Sequence, residues 1–297
     1  MRIGIDLGGT KTEIICLNAD NGKELYRQRV PSPQNDYKAT VKNMAGLVLA
    51  AEKTLKQKGT VGVGIPGTVS SVTGLVKNAN STWLNGNPLD KDLEKALGRP
   101  VRVENDANCF ALSEATDGAG AGNGTVFGVI LGTGCGGGIV VDGKVLTGRN
   151  HVTGEWGHNP LPWPRLDEIP GPHCWCGNWG CLETWVAGPS LARDCDGPEA
   201  HDASGIPARA AAGDARAQAA LDRHADRVAR GLTQVVNLLD PDVIVLGGGL
   251  SNIEALYRDL PPLVGRYAFT LGGPPRIVKN KHGDSSGVRG AAWLCPA

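Results

Sequence analysis

Three cysteines crowd into the stretch GPHCWCGNWGCLE, residues 171–183, as Cys174, Cys176 and Cys181. Thiols so close together have three chemistries open to them: a metal site, a redox pair or a nucleophile. The Cys-X-Cys-X4-Cys pattern is not the Cys-X-X-Cys at a helix start that a redox pair favours, and no general base is visibly paired with any one thiol. Zinc is the better reading. A closed tetrahedral site then needs a fourth ligand, for which His158 in GEWGHNP is the stronger candidate and His173 the local competitor. A Cys3His site of this kind is structural, and its value lies in what it restrains. Glu155 stands three residues before His158 and Glu183 two after Cys181, so fixing the ligands readies both carboxylates to accept hydrogen bonds from neighbouring sugar hydroxyls.

A second reactive set is ENDAN, residues 104–108. Asp106 has two readings: the base that orients an alcohol and receives its proton, or the cap of a helix starting at Ala107. Residue type alone leaves both standing. Asn105 can donate and accept, which suits a sugar hydroxyl. The third set is a series of glycine turns: Asp6 to Lys11 in DLGGTK, Gly132-Thr133-Gly134, and Gly247 to Gly249 with Gly248 at its centre. Backbone amides in such turns can hold phosphate oxygens while Asp6 organises magnesium, directly or through water. Thr10 is the stronger phosphate contact of its turn. Lys11 either neutralises phosphate or points to solvent. Neither a G-x-x-x-x-G-K-[ST] loop nor a complete dinucleotide fingerprint occurs. Glycine turns together with a central carboxylate favour phosphoryl transfer.

Elements must bring these sets together. RIGIDLGGTKTEIICLN reads as strand, glycine turn and strand, and TVFGVILGTGCGGGIVVDGKVL repeats that pattern. The echo suggests two similar lobes, each presenting a phosphate-side hairpin to a shared cleft. Residues 37–58 and 90–97 read as helices, and a strand ending near Glu104 leads into a helix from Ala107, which places Asn105 and Asp106 at the ligand edge of an open sheet. Residues 207–239 are alanine-rich and helical, PDVIVLGGGLSN is strand, turn and helix start, and HGDSSGVRGAAWL is a loop followed by a helix. The class is α/β with mixed, helix-flanked sheets.

Composition narrows the functions. Thirty lysines and arginines balance thirty aspartates and glutamates over 297 residues, so no basic surplus grips nucleic acid, and a small-molecule substrate fits better. No apolar run approaches the roughly 18 residues of a membrane span and no secretory segment opens the chain, which leads us to expect a soluble, cytoplasmic protein. Of the eight cysteines, the five outside the cluster read as small apolar residues rather than a disulfide framework.

DLGGTK, ENDAN, LGTGCGGG and GEWGH…CWCGNWGCLE, in this order, resemble the motifs of the ROK family of sugar kinases, over essentially the whole chain. The resemblance implies a two-lobed actin-like (hexokinase-like, ribonuclease H-like) ATPase fold with the active site in the interlobe cleft. It implies an N-terminal lobe at 1–117, on which 284–297 packs, and a C-terminal lobe at 118–283 carrying the zinc loop. It makes Asp106 the catalytic base and puts Asn105, Asp106, Glu155, His158 and Glu183 around the sugar. His158, Cys174, Cys176 and Cys181 surround zinc, His158 thereby serving both. Gly9, Thr10, Lys11, Gly132, Thr133 and Gly134 line the phosphates of ATP, used with magnesium, and a homodimer is expected. KNANSTWLNGNPL and GEWGHNPLPW look most like mannose-accepting bacterial fructokinases, with Asn80, Trp83 and Asn85 near the substrate. The expected reaction is D-fructose to fructose 6-phosphate; kinases for N-acetylglucosamine, N-acetylmannosamine, mannose or glucose are the alternatives. A sugar-responsive transcriptional repressor is the alternative from another class, disfavoured because the chain starts directly on the first phosphate hairpin.

Overall fold

The computed structural model describes residues 1–283 and 286–295. Two compact units make up the chain: Met1–Gly122 with Gly138–Thr153 and the chain from Lys281 onward, and Asn123–Gly137 with Gly154–Asn280. The division thus falls after Gly122, where the sequence suggested 117, and residues 138–153 go with the first unit.

The first unit is built on a sheet of five strands: β1 (Arg2–Leu7), β2 (Lys11–Leu17), β3 (Glu24–Pro31), β4 (Thr60–Ile65) and β7 (Val101–Asn105), in the order β3-β2-β1-β4-β7. The β-branched Ile3, Ile5, Val61, Val63 and Ile65 alternate along their strands, share one face of the sheet and are wholly buried in one core. β1 and β2 form the expected antiparallel hairpin, with Leu7 opposite Thr12. β1, β4 and β7 run parallel, and their register sets Asp6 beside Gly64 and Gly64 beside Glu104. Asp6, Glu104 and Asn105 therefore share the carboxyl edge of the sheet. Edge strand β3 is mostly exposed, and its Arg27 and Arg29 pair with Glu13 of β2, a charged border that discourages further strand pairing.

Helix α1 (Tyr37–Leu55) starts at Asp36, whose side chain accepts the Ala39 amide, and stops at Lys56, which is left-handed with φ 52°. Its Met44, Leu47, Val48 and Ala51 enter the core beside β1 and β4. A two-stranded ribbon of β5 (Thr68–Val69) and β6 (Val76–Lys77), helix α2 (Leu89–Leu97) and helix α3 (Asp106–Thr116) complete the connections. Residues 284 and 285 of the expected loop, and 296 and 297 beyond the last helix, lie outside the described residues. Within them α9 (Ser286–Trp293) packs on the first unit, where a Cβ on Gly4, Gly62 or Gly290 would run into the backbone of Val288, Ala291 or Cys109. Those absent side chains let helix, sheet and α3 approach at backbone distance.

The second sheet has the order β10-β9-β8-β11-β12, from β8 (Thr125–Leu131), β9 (Cys135–Val141), β10 (Lys144–Val145), β11 (Val243–Gly247) and β12 (Arg276–Lys279), and the division between units falls within β9. β8, β11 and β12 are parallel, so the turns after β8 and β11 leave from the same edge. The helices are α4 (Glu183–Val186), α5 (Gly188–Asp196), α6 (Ile206–Ala211), α7 (Ala215–Leu239) and α8 (Ala255–Tyr267). Where the sequence suggested one helix from 207 to 239 there are two, because Gly213 is left-handed at φ 95° and Asp214 caps a new start by accepting from Arg216 and Ala217. Likewise the turn after β11 opens into a 3₁₀ turn, Gly249–Asn252, before α8. Among the described residues no helix is long and apolar enough to cross a membrane.

Candidate functional site

In the first unit the chemistry gathers at the ends of β1 and β7. The carbonyls of the β1–β2 turn are taken: Gly8 by the Ser32 hydroxyl, Gly9 by the Gln34 amide and Thr10 by the Ser32 backbone N–H. Gly9, Thr10 and Lys11 are all exposed. Asp6 behind them is pushed up to about 7, first by burial, then by the charges of Asp106 and Glu13 and against that of Arg29.

At the start of α3 the side chains of Asn105 and Asp106 both meet the Ala107 amide. Asn105 is the cap: its Oδ1 accepts from Ala107 at 2.9 Å and Asn108 at 3.3 Å, while its Nδ2 donates to Gly67 O at 3.1 Å. β7 runs one residue further than the sequence suggested, and Asp106 becomes the first residue of α3, with Oδ1 accepting the Ala107 amide at 2.8 Å. Glu104, not singled out in the sequence, locks this junction by accepting from the Asn105 backbone at 2.8 Å and Asn108 Nδ2 at 3.0 Å.

In the second unit two short pairings assemble the cysteine site. Leu161 N–H donates to Gly180 O and Leu182 N–H to Asn159 O, which sets His158 beside Cys181 across 23 residues. Gly177 N–H closes a turn on Cys174 O, holding Cys174 and Cys176 at one corner. The ligand atoms of His158, Cys174, Cys176 and Cys181 all lie within 4.8 Å of one another. Cys174 Sγ is 3.6 Å from His158 Nδ1, and Cys176 Sγ is 3.6 Å from Cys181 Sγ. Tetrahedral bonds of about 2.0–2.3 Å to zinc place ligand atoms roughly 3.6–3.8 Å apart, the spacing of these two pairs, and three thiols with one imidazole are a donor set suited to that ion. His173 takes no part in the cluster; it pairs with Trp179, ring against ring at 5.0 Å.

Around the cluster stand the two expected carboxylates. Glu155 Oε2 lies 4.0 Å from His158 Nε2, on the other side of the ring from Cys174. Glu183 opens α4, and its Oε2 accepts the Cys135 amide at 2.9 Å. That bond ties it to the β8–β9 turn. A Cβ on Gly134 would stand 2.7 Å from the same oxygen, so the glycine of the turn is also room for the carboxylate. The turn is held further by Gly188 N–H on Gly132 O at 2.7 Å and Gly132 N–H on Gly134 O, leaving Thr133 exposed. Gly248, left-handed at φ 78°, lies against Leu131 just before that turn. Trp175, a residue the sequence reading passed over, donates its indole N–H to Glu183 Oε1 at 2.9 Å. Its position between two candidate ligands was the available signal.

A buried ionic network secures the segment between His158 and Cys174. Glu168 accepts from Arg227 Nε at 2.9 Å and Arg230 Nη2 at 2.8 Å, and Arg230 also reaches the carbonyls of Pro162 and Trp163. Although burial works to raise it, Glu168 is lowered to about 2 by Arg230, the Arg165 backbone N–H and Arg227.

Comparison with known proteins now applies to a defined fold and site. Residues 2–297 match the model of the ROK family. An N-acetyl-D-glucosamine kinase of Yersinia pseudotuberculosis is 41% identical over 99% of this chain and 98% of its own. Another from Vibrio cholerae is 43% identical over 99% of each. The crystal structure of a ROK hexokinase from Thermus thermophilus superimposes with TM-score 0.87 and 33% identity, covering 99% of this chain and 97% of the other. The chain belongs to the ROK family, with its two-lobed actin-like, hexokinase-like ATPase fold. It is a sugar kinase of that family, using ATP.

The expected resemblance to fructokinases is overturned by these relatives. The loop that suggested it has other work. Asn85 accepts the Ala79 amide at 2.9 Å and donates to its carbonyl at 3.1 Å, and Trp83 Nε1 donates to Thr40 Oγ1. Those side chains close the loop on itself and on α1, and Asn80 is exposed.

Proposed function

We propose that the protein transfers the γ-phosphoryl group of ATP to the 6-hydroxyl of N-acetyl-D-glucosamine. The observation that carries the choice of sugar is the near full-length identity, 41% and 43%, to kinases of that name. In this reading Asp106 is the general base. Its carboxylate accepts the hydroxyl proton as the sugar oxygen bonds to phosphorus, the bond from the γ-phosphorus to its bridging oxygen breaks, and ADP leaves. Gly9, Thr10, Lys11, Gly132, Thr133, Gly134 and Gly248 offer donors and space to phosphates, and Asp6 faces the cation side of the nucleotide. Magnesium, when bound, neutralises phosphate charge. Asn105, Glu155, His158 and Glu183 take the hydroxyls of the sugar. His158, Cys174, Cys176 and Cys181 would hold zinc, which supplies a structural cross-link and no bond-making step.

The test is ADP release measured with N-acetyl-D-glucosamine, N-acetylmannosamine, glucose, mannose and fructose in parallel. The highest kcat/KM is expected on N-acetyl-D-glucosamine. A higher value on any other sugar replaces the substrate in this reading.

A further inference from the structure

Trp175 sits between two cysteines of the cluster, yet its polar edge is aimed at the carboxylate assigned above to the sugar. The indole N–H meets Glu183 Oε1 at 2.9 Å, and the ring stands edge-on to His158 with centroids 5.0 Å apart and planes at 84°. Burial does not account for the placement, since the residue is 71% exposed. The other oxygen of Glu183 is held by the Cys135 amide. A carboxylate bonded through one oxygen still swings about that bond. Bonded through both, to donors on two different segments, its plane is set. Each oxygen accepts more than one hydrogen bond, so the group retains capacity for two adjacent hydroxyls.

We infer that Trp175 is a positioning residue for sugar recognition: its indole N–H fixes the plane of the Glu183 carboxylate, and its ring steadies His158 beside it. This rests on the assignment of Glu183 and His158 to the sugar. The role differs from that of the neighbouring cysteines. They anchor the loop, whereas Trp175 relays the loop's position to the group that meets the substrate.

The experiment uses the full, zinc-loaded chain and Trp175→Phe, which keeps a ring and removes the donor. The KM for N-acetyl-D-glucosamine is expected to rise about tenfold, the effect of one misplaced charged acceptor, with kcat and the KM for ATP within about twofold. Bound zinc should equal that of the native chain. In 15N spectra of the indole groups, the signal missing from Trp175→Phe identifies Trp175. That signal should move upfield in Glu183→Gln and shift when N-acetyl-D-glucosamine is added to the native chain. An unchanged sugar KM in Trp175→Phe, or an indole signal indifferent to Glu183→Gln, overturns the inference. So does a variant that loses zinc and weakens both substrates alike, which would mark Trp175 as a prop of the loop. If Glu183→Gln itself leaves the sugar KM unaltered, the assignment of Glu183 fails, and the inference with it, by a result separate from the others.

Discussion

Asp106 shares the start of α3 with the residue before it. Asn105 takes the capping role, and the Asp106 carboxylate stands at the first position of the helix with Oδ1 on the Ala107 amide. Replacing it by asparagine keeps shape and hydrogen bonding but removes the proton acceptor. We expect kcat to fall by about 10²–10⁴ with the sugar KM changed only a few-fold, read by ADP release. Undiminished turnover would remove Asp106 from the mechanism. At Asn105 the expectation is different. Asn105→Ala should lower stability by about 1 kcal/mol through the lost cap, seen as an earlier urea midpoint, along with weaker sugar binding. A stability equal to the native chain's would contradict the capping geometry.

At the scale of elements, the β8–β9 turn joins the residues proposed for phosphate to the carboxylate proposed for the sugar. Its Gly134 leaves room for Glu183, and its Cys135 amide holds that carboxylate. Gly134→Ala should therefore raise the sugar KM by about tenfold as well as disturbing the nucleotide, an effect a turn concerned with phosphate alone would not produce. Steady-state kinetics with each substrate varied in turn decides it. Cys176→Ser tests the other anchor: less zinc should be retained on dialysis, measured by metal analysis, with thermal stability lowered in parallel. Much of this was legible in the residues. Glycine turns between apolar runs announced both hairpins, and the spacing of Cys174, Cys176 and Cys181 announced their cluster with His158. What stayed hidden depended on pairings distant in sequence. No local pattern tells that Trp83 reaches α1 and Asn85 closes its own loop, or that β7 extends far enough to hand the cap to Asn105. The break at Gly213 was obscured by alanines that suit a helix on either side.

At the scale of the whole molecule, stability carries a pH signature. Glu168 is held between Arg227 and Arg230, and its carboxyl is lowered from 4.5 to about 2. A depressed acid stabilises the fold above its ordinary value and loses that contribution as pH falls through the folded one. Glu168→Gln removes the anion shared by two buried guanidinium groups, which keep Asp194 and Asp226 as partners, and should cost about 1.5–3 kcal/mol near neutrality. Urea titrations should show that gap steady down to about pH 5 and narrowing toward pH 2. A gap independent of pH would mean that the carboxyl is not ionised in the folded protein. Helix α9 carries another consequence, for the order of events during synthesis. The first unit needs that helix to cover β1, β4 and α3. A ribosome delivers it only after every segment of the second unit has been made. The unit begun first thus completes its cover only after the segments of the second have been made.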